Sequence, residues 1–374
     1  MTCMMIIAVA VLYALLIGCL YYGWQATPIA DKIASLPSND GGGVSIIVAM
    51  RNEQGNIGKL LNCLRQQKIS CPIEVIVVDD HSTDSSVAEA VSFQDKFPFP
   101  LLIISSNGQG KKSAISTGVQ LARFSKILTT DADCQMGEYW AQTMYKALSV
   151  PGTKLVTGLV CVAPATTWFA RFQAIEMAAL MGSTAAFVFW KIPNMGNGAN
   201  LGYHRDVFEQ TRGYESSQKI ASGDDEFLIQ QVHDQFPGSV CFVNAADAVV
   251  TTAAQPNWQE LFMQRRRWAA KWRKGRPFRV WGVALLVGLF HLFWVALLLS
   301  LVIMPAQLPK IILAFSLKLV AEYVFLNAVL QVVRQKMLAP YIFPLQLVYS
   351  FYVVWVGLHA IQGGYKWKGR MFTR

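Results

Sequence analysis

The chain has 374 residues, of which 53% are hydrophobic and only 15% charged, a balance that excludes an ordinary soluble globule of mixed surface. The formal net charge of +10 hides a split: residues 1–260 hold 17 Lys/Arg against 22 Asp/Glu, whereas residues 261–374 hold 16 Lys/Arg against Glu322 alone. Seven cysteines, with no C-x-x-C pair and no His/Cys metal spacing, exclude a disulfide framework and a zinc ribbon.

In chain order, Met4 to Tyr22 carries no charge and is long enough to cross a bilayer, so residues 1–24 are expected to form a transmembrane helix. Leu16-Ile17-Gly18-Cys19 imitates a lipoprotein cleavage box, but no positive charge precedes it, as such a signal needs. A polar linker covers 25–43. Val44 to Met50, Glu74 to Val78, Leu101 to Ile104 and Ile127 to Thr130 are short apolar runs that read as buried strands. Helical patterns over 57–67, 84–93 and 111–122 alternate with them, and a further one runs from Gly223 to Phe236. The alternation predicts an α/β domain over 44–256 with a mainly parallel, Rossmann-like sheet and flanking helices. Ligands bind such sheets at the carboxyl ends of the strands, where Arg51-Asn52-Glu53, Asp79-Asp80 and Asp131-Ala132-Asp133 all fall.

Residues 257–279 read as an amphipathic helix along a membrane surface, with Trp258, Leu261, Phe262, Trp268 and Trp272 dipping into the interface. Arg265, Arg266, Arg267, Lys271, Arg273, Lys274, Arg276 and Arg279 form a basic collar facing anionic headgroups on the cytoplasmic side, which suits lipid better than nucleic acid. About three further spans are expected over 280–365: Val280 to Met304, Ile311 to Val333 and Ile342 to Ile361. Lys318 and Glu322 interrupt the second; four residues apart, they share a helix face and can pair inside a bundle. The basic tail, 366–374, prefers the cytoplasm, whereas four spans from a cytoplasmic catalytic block put it outside, so one segment is expected to be re-entrant or interfacial.

The chemistry lies in ordered motifs. Asp131 and Asp133, one residue apart at a strand end, suit Mg²⁺ or Mn²⁺ shared with a nucleotide diphosphate, although an isolated D-x-D is more often a solvated turn. Asp79 and Asp80 can accept from a base and ribose, while Ser82, Thr83 or Asp84 caps the next helix and His81 is structural. Gly108 to Ser113 lacks phosphate-loop spacing, but Lys111 at a helix start can touch a diphosphate. Asp225 is the candidate general base with Asp224 as its neighbour, the bland alternative being a helix cap. Gln264, Arg267 and Trp268 fall within one helical turn, offering a guanidinium for a diphosphate and a flat face for a sugar ring.

Taken together, these motifs resemble a membrane-bound family 2 glycosyltransferase with a GT-A fold, over residues 44 to 275. The resemblance rests on Ala49 to Glu53, Asp79-Asp80, Gly110-Lys111, Asp131 and Asp133, Asn197-Gly198-Ala199-Asn200, Asp224-Asp225 and the Q-x-x-R-W residues Gln264, Arg267 and Trp268. Asp224 replaces a common Glu and retains the carboxylate. The resemblance implies inverting transfer from a nucleotide-diphosphate sugar, with a UDP-linked donor expected, Asp225 as base and Asp131 and Asp133 on the metal. It further implies Arg51, Glu53, Asp79, Asp80 and Lys111 at the nucleotide and Asn197, Gly198 and Asn200 toward the acceptor. A lipid or lipid-linked acceptor at the inner face of a bacterial inner membrane is favoured over processive polysaccharide synthesis, since polymer export needs more helices or a partner subunit. A non-catalytic scaffold would show broken acidic motifs, and none is broken.

Overall fold

The structure is a computed structural model that describes residues 3–27, 33, 41–214, 223–270, 278–303, 305–360, 365–367 and 370–372. The chain forms two compact units, one of residues 25–165 and 183–254 and the other of residues 1–24, 166–182 and 255–374. The sequence predicts an unbroken catalytic block over 44–256; instead, 166–182 groups with the apolar helices.

The first unit is built on a seven-stranded sheet in the order β3-β2-β1-β4-β8-β6-β9. Its strands are β1 (Val44–Met50), β2 (Ile73–Asp79), β3 (Leu101–Ser105), β4 (Lys126–Asp131), β6 (Leu155–Gly158), β8 (Leu201–His204) and β9 (Val240–Val243). β1 and β2 are near-continuous apolar runs buried along almost their whole length, as expected of parallel strands covered on both faces. β8 is antiparallel to both β4 and β6, the one reversed strand in the sheet. The register aligns Met50 with Asp79, Ala49 with Asp131 and Asp79 with Ser105, so the carboxyl ends of four neighbouring strands finish in one row.

A second sheet joins β5 (Cys134–Met136), β10 (Val250–Thr252) and β7 (Val160–Val162). β4 and β5 belong to different sheets, so Asp131-Ala132-Asp133 is the turn by which the chain changes sheets. The β6–β7 step at Leu159 is another such change. Here Asn200 acts as a bolt: its amide nitrogen donates to Leu159 O at 2.8 Å and Ala248 O at 2.7 Å, and its oxygen accepts from Trp140 Nε1 at 3.0 Å. A Cβ on Gly158 would stand 2.5 Å from the Asn200 amide nitrogen, so this crossing has no room for a side chain.

The second unit holds the N-terminal helix α1 (Cys3–Gln25) and three long C-terminal helices (Phe278–Ile303, Leu308–Val332 and Ile342–Ala360). With Trp168–Phe189, which the sequence reading missed, five helices among the described residues are long and apolar enough to cross a membrane. Ile6, Ala10 and Tyr13 of α1 pack with Phe290, Trp294, Leu297, Ile311, Ala314 and Phe315, while Leu285, Leu289, Leu299 and Val302 remain outward. Lys318 and Glu322 do pair, at 2.6 Å; Tyr13 donates to the same carboxylate and Lys318 to Gln346 Oε1 at 2.7 Å. One buried network therefore ties α1 to two C-terminal helices, which is how charge is tolerated there. Gly182 completes the packing of this unit: a Cβ there would meet Val329 at 2.6 Å and Phe325 at 2.8 Å.

Trp258–Ala270 is helical, as predicted. Its buried face carries Leu261 and, against expectation for a headgroup-facing collar, Arg265. Lys271, Trp272, Arg273, Lys274 and Arg276 lie outside the described residues, as do Lys368 and Arg374; Lys366 and Arg370 sit on the antiparallel strands Tyr365–Trp367 and Arg370–Phe372.

Candidate active site

The row of strand ends carries a linked set of polar groups, all within the sheet unit. After β2, Asp79 accepts the Ser82 N–H with both oxygens at 3.2 Å, which folds the turn back on itself. Asp80 is 2% exposed, and its Oδ1 accepts the Gly110 N–H at 2.8 Å. Gly110 holds φ at +95°, a backbone that side chains rarely adopt, so the close approach to Asp80 calls for glycine. Arg51 braces the same turn by donating to Asp80 O at 2.6 Å and His81 O at 2.9 Å. Glu53 is buried and accepts from Asn56 Nδ2 at 2.9 Å, while its N–H reaches Ser86 Oγ at 2.7 Å. Asp84 Oδ1 accepts the Ser86 N–H at 3.0 Å at the start of the following helix, whose N-cap is Ser85 and not one of the residues expected there. Partial burial would raise its carboxyl, but hydrogen bonds from the Ser86 side chain and from backbone N–H groups leave it below the usual carboxylate range. His81 reaches Gly108 O at 3.2 Å from a left-handed backbone, a scaffold contact.

The helix Lys111–Leu121 begins directly after Gly110. Lys111 Nζ stands 2.6 Å from Asp131 Oδ1, with the two side chains 20% and 34% exposed, so cation and carboxylate both remain reachable. Lys112 lies over the Phe227 ring at 4.9 Å and so links this helix start to the one that begins at Asp224. Gly223, at φ +86°, turns the chain into that second helix. The Asp224 side chain is not among the described residues. Asp225 is 8% exposed; its Oδ2 accepts the Gly198 N–H at 3.0 Å and its Oδ1 the Glu226 N–H at 2.7 Å. Gly198 O in turn accepts from Thr129 Oγ1 at 3.2 Å. Thr129 lies two residues before Asp131 on β4, so one loop glycine connects the metal-candidate strand to the candidate base.

Within Asn197 to Asn200 the roles divide. Asn197 is half-buried, its Oδ1 taking the Ala199 N–H at 3.1 Å, and Gly198 positions Asp225. Asn200, expected on the acceptor side, is instead fully buried, and its amide is committed to the sheet crossing described above. A buried amide with its donors and acceptor engaged holds backbone, not substrate.

Asp133 is exposed at the tip of the sheet-changing turn, next to the buried Cys134 thiol, which burial and the neighbouring Asp133 and Asp131 push well up. Among the described residues no cluster of three or more His, Cys, Asp or Glu can enclose a metal. Two reachable carboxylates and no third protein ligand fit a hard divalent ion whose other ligands come from water and a diphosphate, not a closed structural site.

Gln264, Arg267 and Trp268 belong to the helical unit, all three half-buried on Trp258–Ala270. Glu176, which no motif singles out, meets that helix from Trp168–Phe189 through Arg265. Its signal in the sequence is that it is the one charged residue in the apolar stretch from Phe172 to Trp190.

Residues 45–212 match the family model described as Glycosyl transferase family 2. The matched stretch, just under half of the chain, is similar to the family 2 glycosyltransferases. That stretch contains the Asp79-Asp80 turn, Lys111, the D-x-D and the Asn197 to Asn200 loop, and it ends before Asp225 and the Q-x-x-R-W helix. Similar proteins include the glycosyltransferase AglE of Haloferax volcanii, 30% identical over 31% of this chain and 39% of its own length. The probable glycosyltransferase YdaM of Bacillus subtilis is 26% identical over 60% of this chain and 54% of its own. The 4,4'-diaponeurosporenoate glycosyltransferase of Staphylococcus aureus is 31% identical over 32% and 31%. The chain thus spans about half or less of the curated relatives it matches. Among solved structures, the mannosyltransferase PcManGT from Pyrobaculum calidifontis, in complex with GDP-Man and Mn²⁺, aligns with a TM-score of 0.52 at 18% identity, over 92% of this chain and 98% of that one. At that identity the likeness speaks to the fold, which is GT-A.

Proposed function

We propose that this chain is an inverting glycosyltransferase that moves a sugar from a nucleotide-diphosphate donor to a lipid or lipid-linked acceptor at the inner face of a membrane. The observation that carries the reading is the connection of two carboxylate stations through one loop: Asp225 accepts from Gly198 N, and Gly198 O accepts from Thr129, on the strand that ends in Asp131. Asp225 takes the proton from the acceptor hydroxyl as that oxygen attacks the anomeric carbon and the nucleotide diphosphate leaves. Its two backbone hydrogen bonds orient the carboxylate before substrate arrives, which is how a general base gains efficiency. Asp131 and Asp133 are the residues that would hold Mg²⁺ or Mn²⁺, which supplies charge neutralisation for the departing diphosphate. Lys111 can exchange its Asp131 partner for diphosphate oxygens at a helix N-terminus, where anions are already favoured. Arg51, Glu53, Asp79 and Asp80 shape the nucleotide turn, Asn197 faces the acceptor, and Gln264, Arg267 and Trp268 meet the donor.

A lipid acceptor is supported by the helices of membrane-crossing length among the described residues and by the basic run just before Phe278–Ile303, which also favours a cytoplasmic catalytic side. The test is a donor screen on membranes containing the full chain, supplied with Mn²⁺ and radiolabelled UDP- and GDP-sugars. Label extracted into chloroform–methanol supports the proposal. Label held only in a long water-soluble or insoluble polymer points to processive synthesis, and no transfer from any donor refutes the enzyme reading.

A further inference from the structure

Arg265 sits between Gln264 and Arg267, and whereas Arg266 and Arg267 are half-buried it is only 7% exposed. Its Nη2 stands 2.5 Å from Glu176 Oε2 and its Nε 3.3 Å from Glu176 Oε1, and Glu176 is 6% exposed. Nη1 donates to Gln264 Oε1 at 2.5 Å. The guanidinium carbon lies 4.3 Å from the centroid of the Trp268 ring. One planar group therefore touches an anion, an amide and an aromatic face, which a guanidinium can do and an ammonium cannot.

Two consequences follow for the motif. Arginine has no acceptor, so it fixes the Gln264 carbonyl toward itself and leaves the two N–H groups of that amide as what Gln264 can offer a ligand. Phosphate and sugar hydroxyl oxygens accept such donors. Arg265 also covers one face of Trp268 and holds the ring by cation–π attraction, leaving the opposite face for a sugar. We propose that the buried Glu176–Arg265 pair is a positioning clamp that sets the hydrogen-bond polarity of Gln264 and the ring orientation of Trp268 for donor binding; this rests on reading Gln264, Arg267 and Trp268 as donor contacts. Burial opposes the charge on Arg265, and the Glu176 carboxylate more than offsets it, holding the guanidinium protonated. The clamp works through other residues and need not touch substrate.

The test uses the purified full chain in detergent and the tightest binder among UDP-glucose, UDP-N-acetylglucosamine and GDP-mannose, each with Mn²⁺, titrated calorimetrically. Arg265→Lys keeps the charge beside Glu176 but loses the fork, and should weaken donor binding about tenfold, the loss of roughly one hydrogen bond. Glu176→Asp, which withdraws the carboxylate by one methylene, should act in the same direction and provides a second variant should the first unfold. The deciding measurement is Arg265→Lys in a Gln264→Ala/Trp268→Ala background. A clamp that acts through those two side chains has nothing left to position, so no further loss is expected. A full tenfold loss in that background would overturn the clamp. Unchanged binding by Gln264→Ala/Trp268→Ala itself would instead overturn the donor role of the motif, a separate result.

Discussion

Asp225→Asn is the most discriminating substitution, because each oxygen of that carboxylate has a known partner. Oδ2 takes the Gly198 N–H at 3.0 Å and Oδ1 the Glu226 N–H at 2.7 Å. An amide retains one oxygen and turns its NH₂ toward the other backbone N–H, so one charge-assisted hydrogen bond is lost and two donors face each other. That costs about 2 kcal/mol, which lowers the midpoint of thermal unfolding by roughly 4–8 °C for a unit of this size. The loss in chemistry is larger. An amide cannot accept the acceptor's proton, and a positioned general base contributes about 10²–10⁴-fold. Transfer of labelled sugar into lipid should therefore fall by at least about a hundredfold, while calorimetric donor affinity stays within about threefold, since Asp225 is assigned to the acceptor and not to the nucleotide. Turnover within tenfold of wild type, together with the expected drop in melting temperature, would remove Asp225 from the proton transfer. Loss of donor binding in step with turnover would place it on the nucleotide.

The other expectations concern separate parts of the chain. Asp133→Asn should cut Mn²⁺-dependent transfer by about a hundredfold or more, and a chelator should abolish wild-type transfer reversibly; metal-independent turnover would contradict both. Lys318→Met leaves Glu322 buried without its cation, and should destabilise the helical unit by about 3–5 kcal/mol. Lys318→Met/Glu322→Gln should recover most of that loss in a detergent thermal-unfolding assay. Gly158→Ala places a methyl group 2.5 Å from the Asn200 amide nitrogen and should cost about 1–3 kcal/mol by overpacking, read as a lower melting temperature. His204 is held below its ordinary value by burial, with Lys126 and Lys154 adding to the effect and the Leu148 carbonyl and Asp206 opposing it. The unfolded chain then takes up the proton first, so stability is complete above about pH 6.5 and falls as pH drops from there toward the folded value. Melting curves between pH 7.5 and 5 should show a shallower acid-side loss in His204→Gln.

How much of this was legible in the sequence depends on how local each signal is. β1, β2 and β4 announce themselves because a parallel strand buried on both faces is a nearly unbroken apolar run, and β3, at the sheet edge, is a short apolar run as well; the ends of all four lie within a residue of the expected ones. The places of Asp79 and Asp131 at strand ends and the Lys318–Glu322 pair were legible for a similar reason: each follows from short-range spacing. β5, β7 and β10 escaped because each has only three residues, below any useful period, and they exist through pairing with strands distant in sequence. Asn200 was misassigned on the same ground. Its neighbours suggest a loop by the acceptor, while its actual partners, Leu159, Ala248 and Trp140, are more than 40 residues away.

Trp168–Phe189 carries the same point into function. Its apolar residues surround the helix with no single stripe, so periodicity gives nothing, and Arg171, Gln173 and Glu176 kept it from reading as a plain span. Those three are what make it useful: Arg171 lies over the Tyr341 ring at 4.2 Å, Gln173 exchanges hydrogen bonds with Gln255, and Glu176 receives Arg265. A polar residue in an apolar helix is costly without a partner, so each one implies a contact that the sequence cannot name. In Glu176 the partner lies inside the Q-x-x-R-W run, at one of the two positions the motif leaves unspecified. Unspecified motif positions are thus where a particular chain can build its own support for shared contacts, and a lone buried charge elsewhere in the sequence is the sign to look for.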